Sequence, residues 1–518
     1  MSASSQFADL ERSFLALRDA FGALVVARHQ GDDVSAMEDG YADARRAFAG
    51  TLAGHEGRAE GDDALIIASI ESALSWMDEL EAVEGLADAG GVELESPDVA
   101  ELRRQTFRAF GEAGEAIRVG SELIDRPTAM SRLATEPDGA RRRLVFDALE
   151  PVWRSVDGDG GPSSPYRTLL RSSAERWARD GSPVEAAARA LGIAPGSIEP
   201  TLRKILAAWR TVIGPGFVEP WDYRYVTGAM ERRVREHIPR ERLRPINDAH
   251  LRSLGADPRV LRITYDVEPR PGRPAIPTAF TIGRDIGRVR EDGTWQPATP
   301  WIFATYADGG LGNLEELLHE SGHAIHEAAI RARPALYEPL VADGGLVEGV
   351  ADLVGWDALE PAFQARYLGV AAEVRDSRLG RYGWVLLDVC WALLEIVLHR
   401  DPDRSPNEVW AELTTTGLGI VPHPELSWWA LRGQLIDGPG YMANYALSAL
   451  VAAAVRARIR EVRGDWLADG GDPGWYDYVS DGLLRFGASR PAADVVRDFL
   501  GGPLTAEPLL DDLAAAAG

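Results

Sequence analysis

Apolar positions recur every three or four residues from about residue 6 to about 210. In "FLALRDAFGALVVA", Phe14, Leu17, Phe21 and Leu24 fall on one stripe, the period of a helix with one buried face. The texture changes between about 259 and 307, where "VLRITYDV", "PTAFTIGRD" and "PWIFATYAD" are short, rich in β-branched and aromatic residues and bounded by Pro and Gly. Those three segments read as strands. After residue 311 the helical period returns and runs nearly to the end, with breaks at Pro334, Pro361, "HRDPDRSPNE" and "DGPGY". The pattern predicts a mostly α protein with an N-terminal helical region over 1–210 and a second region over 211–518 that carries a small sheet. The longest apolar run, "YALSALVAAAV" at 445–455, is too short to span a bilayer and suits a buried helix.

Charge and cysteine usage narrow the function. A formal net charge of −25 over 518 residues argues against a general affinity for nucleic acid or for a membrane surface, which both demand a basic face. The single cysteine, Cys390, can form no intramolecular disulfide, and the N-terminus lacks the basic start and apolar stretch of a secretory signal. A cytoplasmic location is expected. Oligomeric state is left open.

Candidate chemistry is concentrated in "HESGHAIH" at 319–326, which holds three of the nine histidines. Asn313 is placed to cap the helix that carries it, Glu316 stands three residues later as in a capping box, and Pro334 limits its end. His319 and His323 are four apart, so both rings leave one face of that helix and can share one ion. Glu320 points elsewhere, as a base acting on metal-bound water would. Glu348 lies 25 residues after His323, far enough for a second helix to return and supply a third ligand. Asp352, one turn on, can accept the free ring N–H of a ligating histidine. Two imidazoles and one carboxylate with an open position form the ligand set of a catalytic zinc site, although the same set also holds non-haem iron. His326 is expected behind the ligands or at the surface, not on the ion.

These residues resemble the thimet oligopeptidase and oligoendopeptidase F family of zinc peptidases. "PWDYRY" at 220–225, "YDVEPRPGRP" at 265–274, "LLHESGHAIH" and "LVEGVADL" occur in that family's order, over about residues 200–450. The resemblance implies a large helical body with a deep central channel between two halves and a small antiparallel sheet beside the zinc helix. It implies one Zn2+ per chain on His319, His323 and Glu348, and Glu320 as general base. "GPGYMANYALSAL" at 438–450 is similar to the family's glycine- and tyrosine-rich substrate segment. That likeness implies that Tyr441 hydrogen-bonds the developing oxyanion, with Tyr445 near it. Ile436 stands where the family has a histidine and Ser448 where it has a tyrosine, so transition-state stabilisation is expected to be less complete unless His423 substitutes. The same segment is similar to the carboxypeptidase Taq family, which carries a tyrosine at the position of His326 and a different motif in place of "VEGVAD".

The resulting expectation is a zinc metallopeptidase that hydrolyses short peptides, with "WIFATYAD" presenting an edge strand to the substrate backbone. The alternatives are a metallocarboxypeptidase of the same fold and a degenerate peptidase-like binding protein without turnover. Cleavage products separate the two peptidase readings, internal cuts favouring the oligopeptidase and loss of single C-terminal residues the carboxypeptidase, and a Glu320→Gln variant as active as wild type would sink the catalytic assignment.

Overall fold

Residues 8–53, 96–178, 181–270, 278–337, 344–468 and 470–517, with isolated positions between 66 and 77 and residue 276, are described by the computed structural model. The first helices, α1 (Ala8–Gln30) and α2 (Ser35–Ala53), meet along apolar stripes. Phe14 faces Phe48 and Phe21 faces Tyr41, each pair with ring centroids 5.6 Å apart. A hairpin of β1 (Ile117–Val119) and β2 (Glu122–Ile124) follows, inside the region whose pattern predicts helix. Three-residue strands are too short to leave a period-two trace.

The three predicted strands form β3 (Thr264–Asp266), β4 (Phe280–Gly283) and β5 (Pro300–Phe303), in the spatial order β3-β5-β4. The sheet is mixed, not antiparallel as expected: β5 runs antiparallel to β4 and parallel to β3. A ribbon of Arg288–Val289 with Trp295–Gln296 turns the chain back after β4, so β5 slots between strands already laid in opposite directions. This also corrects the edge-strand expectation. The "WIFATYAD" strand is central, and the edge beyond it is β4.

Side-chain alternation makes the sheet a spacer between two helical layers. Phe280, Ile282, Trp301 and Phe303 pack with the α1–α2 stripe. On the opposite face, Ile302 joins the main core, and Thr281 and Tyr265 reach helix α4 (Leu311–Ala329) through Glu320 and Ser321.

Helix α5 (Gly344–Gly355) is clamped between α4 and the later helix α7 (Met442–Arg463), with α6 (Val374–Arg400) also against α7. Two glycines permit this spacing. A Cβ at Gly322 would stand 2.6 Å from Ala351 Cα, and one at Gly349 would stand 2.8 Å from Val451. The predicted apolar run at 445–455 lies in α7 and is buried. Among the described residues α6 is long and apolar enough to cross a membrane, and 94% of its apolar window is buried inside the protein. It is a core helix here.

Below α5 sits a buried charge network. Arg456 bonds Asp357 at 2.6 Å and Glu360 at 3.0 Å, His250 bonds Asp357 at 2.8 Å, and Arg381 bonds Glu360 at 2.7 Å. Every charge in it has an opposite partner, which is the condition for tolerating ions in a low-dielectric interior.

Candidate metal centre

Helix α4 begins at Leu311, two residues before the expected cap. Asn313 does not cap it: its Nδ2 donates to the carbonyls of Asp308 and Gly309. The cap comes from elsewhere in the chain, where Glu231 Oε2 accepts from Gly312 N–H at 3.0 Å. A carboxylate at that end also favours the helix dipole. The helix ends at Ala329, ahead of Pro334. Glu316 is half-buried with a raised pKa, from burial first, with Tyr306, His319 and Arg126 pulling it back down.

One turn apart on α4, the His319 and His323 rings stand edge to face with centroids 4.8 Å apart. Nitrogen or oxygen atoms of His319, Glu320 and His323 lie within 4.8 Å of one another. From α5, Glu348 Oε2 approaches His319 Nε2 at 3.3 Å and His323 Nε2 at 3.8 Å. Ligand atoms about 2.0 Å from a tetrahedral ion stand about 3.3 Å apart, so the first spacing fits a shared ion and the second needs only a small closure.

Behind this trio, Asp352 Oδ1 lies 3.0 Å from His319 Nδ1. Ser448 Oγ donates to Asp352 Oδ2 at 3.0 Å. The residue standing in place of the expected tyrosine therefore braces the carboxylate that orients a histidine. Burial opposes protonation of His319, but Asp352 and Glu348 overcome it and raise its pKa well above the usual value. Burial, and then the charge on His319, push His323 well below. A buried neutral imidazole with an open lone pair is the form that binds a metal.

Glu320 is buried, and its Oε2 accepts from the Thr281 hydroxyl on β4 at 2.7 Å. Burial pushes its carboxyl up to about 7, with His319 and Thr281 acting against that rise. His326 is also buried, not at the surface, with its pKa pushed down to about 4 by burial. Its Nδ1 has no partner among the described residues.

Tyr441 precedes the first turn of α7 and its ring lies 5.8 Å from that of Tyr445. Tyr445 stands beside the trio: its pKa is raised well above the usual value by burial and then by Glu348. The Gln434 amide donates to its hydroxyl at 3.5 Å, and the Arg432 guanidinium lies 5.0 Å from its ring. Ile436 is fully buried. His423 does not take the missing donor's place. Its two ring nitrogens are engaged by Glu425 at 2.7 Å and Glu219 at 2.9 Å.

Three groups around the site carry no local sequence signal. Thr281 touches Glu320 only because β4 lies against α4. Ser448 reads in the sequence as a missing tyrosine. Glu395, buried on α6, accepts from the backbone N–H of both Gly440 and Met442 and so pins the turn that carries Tyr441; burial pushes its carboxyl up to about 8.

No protein-family model and no curated protein matches the chain. Solved structures do. Metallocarboxypeptidase 1 of Trypanosoma cruzi is similar at 16% identity and TM-score 0.56, over 99% of this chain and 100% of that one. A carboxypeptidase of Pyrococcus furiosus is similar at 15% identity and TM-score 0.54, over 100% and 99%. A putative oligoendopeptidase F of Bacillus anthracis is similar at 12% identity and TM-score 0.52, over 96% and 94%. At these identities the likeness shows the fold. It is a mostly helical fold, common to these carboxypeptidase and oligoendopeptidase F structures.

Proposed function

We propose that this protein is a zinc-dependent peptidase acting on short peptides, with His319, His323 and Glu348 as metal ligands and Glu320 as general base. The observation that carries the reading is the convergence of two imidazoles on one carboxylate oxygen, at 3.3 and 3.8 Å, with Asp352 fixing one ring from behind.

A divalent ion held there would supply Lewis acidity to the scissile carbonyl and a more acidic water. The remaining work falls to the chain. Glu320 removes a proton from the attacking water and returns it to the leaving amine; a carboxyl near 7 is matched to both transfers at neutral pH. Thr281 holds that carboxylate in place through its 2.7 Å bond. Tyr441 is the donor to the developing oxyanion that the resemblance implies, with Tyr445, kept protonated by its raised pKa, next to it. One such donor is worth roughly 3 kcal/mol. Strand β4 has one edge unpaired by any described strand, which suits backbone pairing with an extended peptide.

The test is digestion of a mixed peptide library read by mass spectrometry, before chelation, after chelation and after zinc is restored. Products that vanish and return with zinc are expected; products indifferent to chelation would defeat the proposal. Internal cuts point to an oligopeptidase, and loss of single C-terminal residues points to a carboxypeptidase.

A further inference from the structure

Tyr441 follows a Gly-Pro-Gly turn, in "DGPGYM" at 437–442. Glycines on both sides of the proline leave the backbone free to take many directions, so the turn by itself does not aim the side chain after it. The direction is imposed from α6. Glu395 Oε1 accepts from the Gly440 N–H and its Oε2 accepts from the Met442 N–H at 3.1 Å. These two bonds straddle Tyr441 and hold it in a helical conformation, φ −60° and ψ −34°, at the head of α7. The turn is also gripped from outside. Gly440 has φ +105°, and a Cβ there would stand 2.2 Å from Pro183 Cγ. Ser173, on α3 (Pro165–Trp177), sets its hydroxyl 3.5 Å from the Pro439 carbonyl and 3.0 Å from His399 Nε2.

Glu395 is an expensive residue for its place. It is 0% exposed and flanked along α6 by the buried Leu394, Ile396 and Leu398. No described cation bonds it, and the groups that offset its burial are the two backbone N–H groups. An acid in an apolar interior without an ion partner costs stability that an apolar side chain would not. Its two oxygens do what no apolar side chain can, meeting two donors of one turn at once at the positive end of the α7 dipole. What this fixes lies toward the metal. The Tyr441 ring is 5.8 Å from that of Tyr445, and the Tyr445 hydroxyl feels the charge of the candidate ligand Glu348.

We propose that Glu395 is the positioning residue of the oxyanion donor: by holding the N–H groups on either side of Tyr441, it aims that phenol at the metal centre. Glu395 itself touches no substrate. This inference rests on the peptidase reading given above and adds to it a residue on another helix that governs the transition state and not the binding of the peptide.

The test is a double-mutant cycle on four zinc-loaded full-length proteins: wild type, Glu395→Gln, Tyr441→Phe and the double variant. Glutamine keeps the shape but turns an NH2 toward one of the two backbone donors. Each protein is titrated with a phosphinic analogue of an N-acetylated tripeptide, whose tetrahedral phosphorus carries the oxygens of the hydrated carbonyl, and is assayed on the parent tripeptide. Tyr441→Phe is expected to weaken the phosphinate about a hundredfold, the effect of one lost oxyanion donor. Glu395→Gln is expected to weaken it at least about tenfold, the scale of a misaimed group, with kcat reduced and KM unchanged. The double variant is expected to match Tyr441→Phe within about twofold, because the two residues act as one unit. Glu395→Asp, one methylene too short to meet both donors, serves as a second variant, and unfolding midpoints are recorded for all. Equal phosphinate affinity in wild type and both Glu395 variants, no effect of Tyr441→Phe, or losses that multiply in the double variant would each overturn the inference. A protein that cleaves peptides indifferently to Glu395 would refute this role alone, whereas Glu395-dependent phosphinate binding without any cleavage would refute the peptidase reading alone.

Discussion

Asp352 Oδ1 lies 3.0 Å from His319 Nδ1, and this contact leaves Nε2 of the same ring turned toward Glu348. The carboxylate thus selects the tautomer that presents a lone pair to an ion. Replacing Asp352 by Asn removes the charge and allows the amide to face the ring with the wrong group. Zinc affinity is predicted to fall about 10–100-fold, measured by competition with a chelator of known affinity. Ser448→Ala, which removes the brace on Asp352 and the 2.8 Å bond to the Tyr445 carbonyl, is predicted to cost less than about tenfold. Unchanged affinity in Asp352→Asn would mean that the contact does not orient the ligand.

Thr281 and Glu320 give a prediction with a definite sign. The Thr281 hydroxyl donates to the Glu320 carboxylate at 2.7 Å and stabilises its charged form. Thr281→Val removes that donor, so the Glu320 pKa rises further. The general base must be deprotonated, so the acid limb of kcat/KM is predicted to move to higher pH. A pH–rate profile of the two proteins checks the shift; movement to lower pH would contradict it.

How much of this was legible in the sequence depends on how local each relation is. His319, Glu320 and His323 lie within five residues, and helical geometry alone places two rings on one face. Glu348 and Asp352 needed only that one helix return beside another. The cap of α4 was not legible: Asn313 has the right chemistry, but Glu231, from 81 residues earlier, reaches Gly312 first. Strand existence was readable and strand order was not, because nothing local records that β5 inserts between β3 and β4. Thr281 and Glu320 sit on separate elements, β4 and α4, and their contact exists only in the folded chain.

Glu395 links stability to pH. Burial raises its carboxyl to about 8 from 4.5, so the folded state binds a proton that the unfolded state releases between those values. Its contribution is fully present below pH 4.5 and is lost as pH rises through 8. From this group alone, stability falls by about 1.4 kcal/mol per pH unit within that window. Glu395→Gln is predicted to flatten the slope by that amount, measured by urea unfolding at intervals from pH 5 to 8. An identical slope in both proteins would show that the carboxyl is not the source.

Arg456 is the hub of the charge network under α5, 2% exposed and bonded to both Asp357 and Glu360. Arg456→Met leaves two buried carboxylates short of a partner. The predicted cost is roughly 3–5 kcal/mol of unfolding free energy, read from denaturant unfolding. A loss below about 1 kcal/mol would place the network among weakly contributing surface pairs.

Glu320→Gln tests the catalytic claim most directly, with zinc content and peptide hydrolysis measured on the same preparation. The substitution keeps shape and leaves the three ligands intact. The prediction is about one zinc per chain in both proteins, as the ligand set requires, with hydrolysis of the peptide library reduced at least about a hundredfold in the variant. Equal hydrolysis by wild type and variant at equal zinc content would contradict the account.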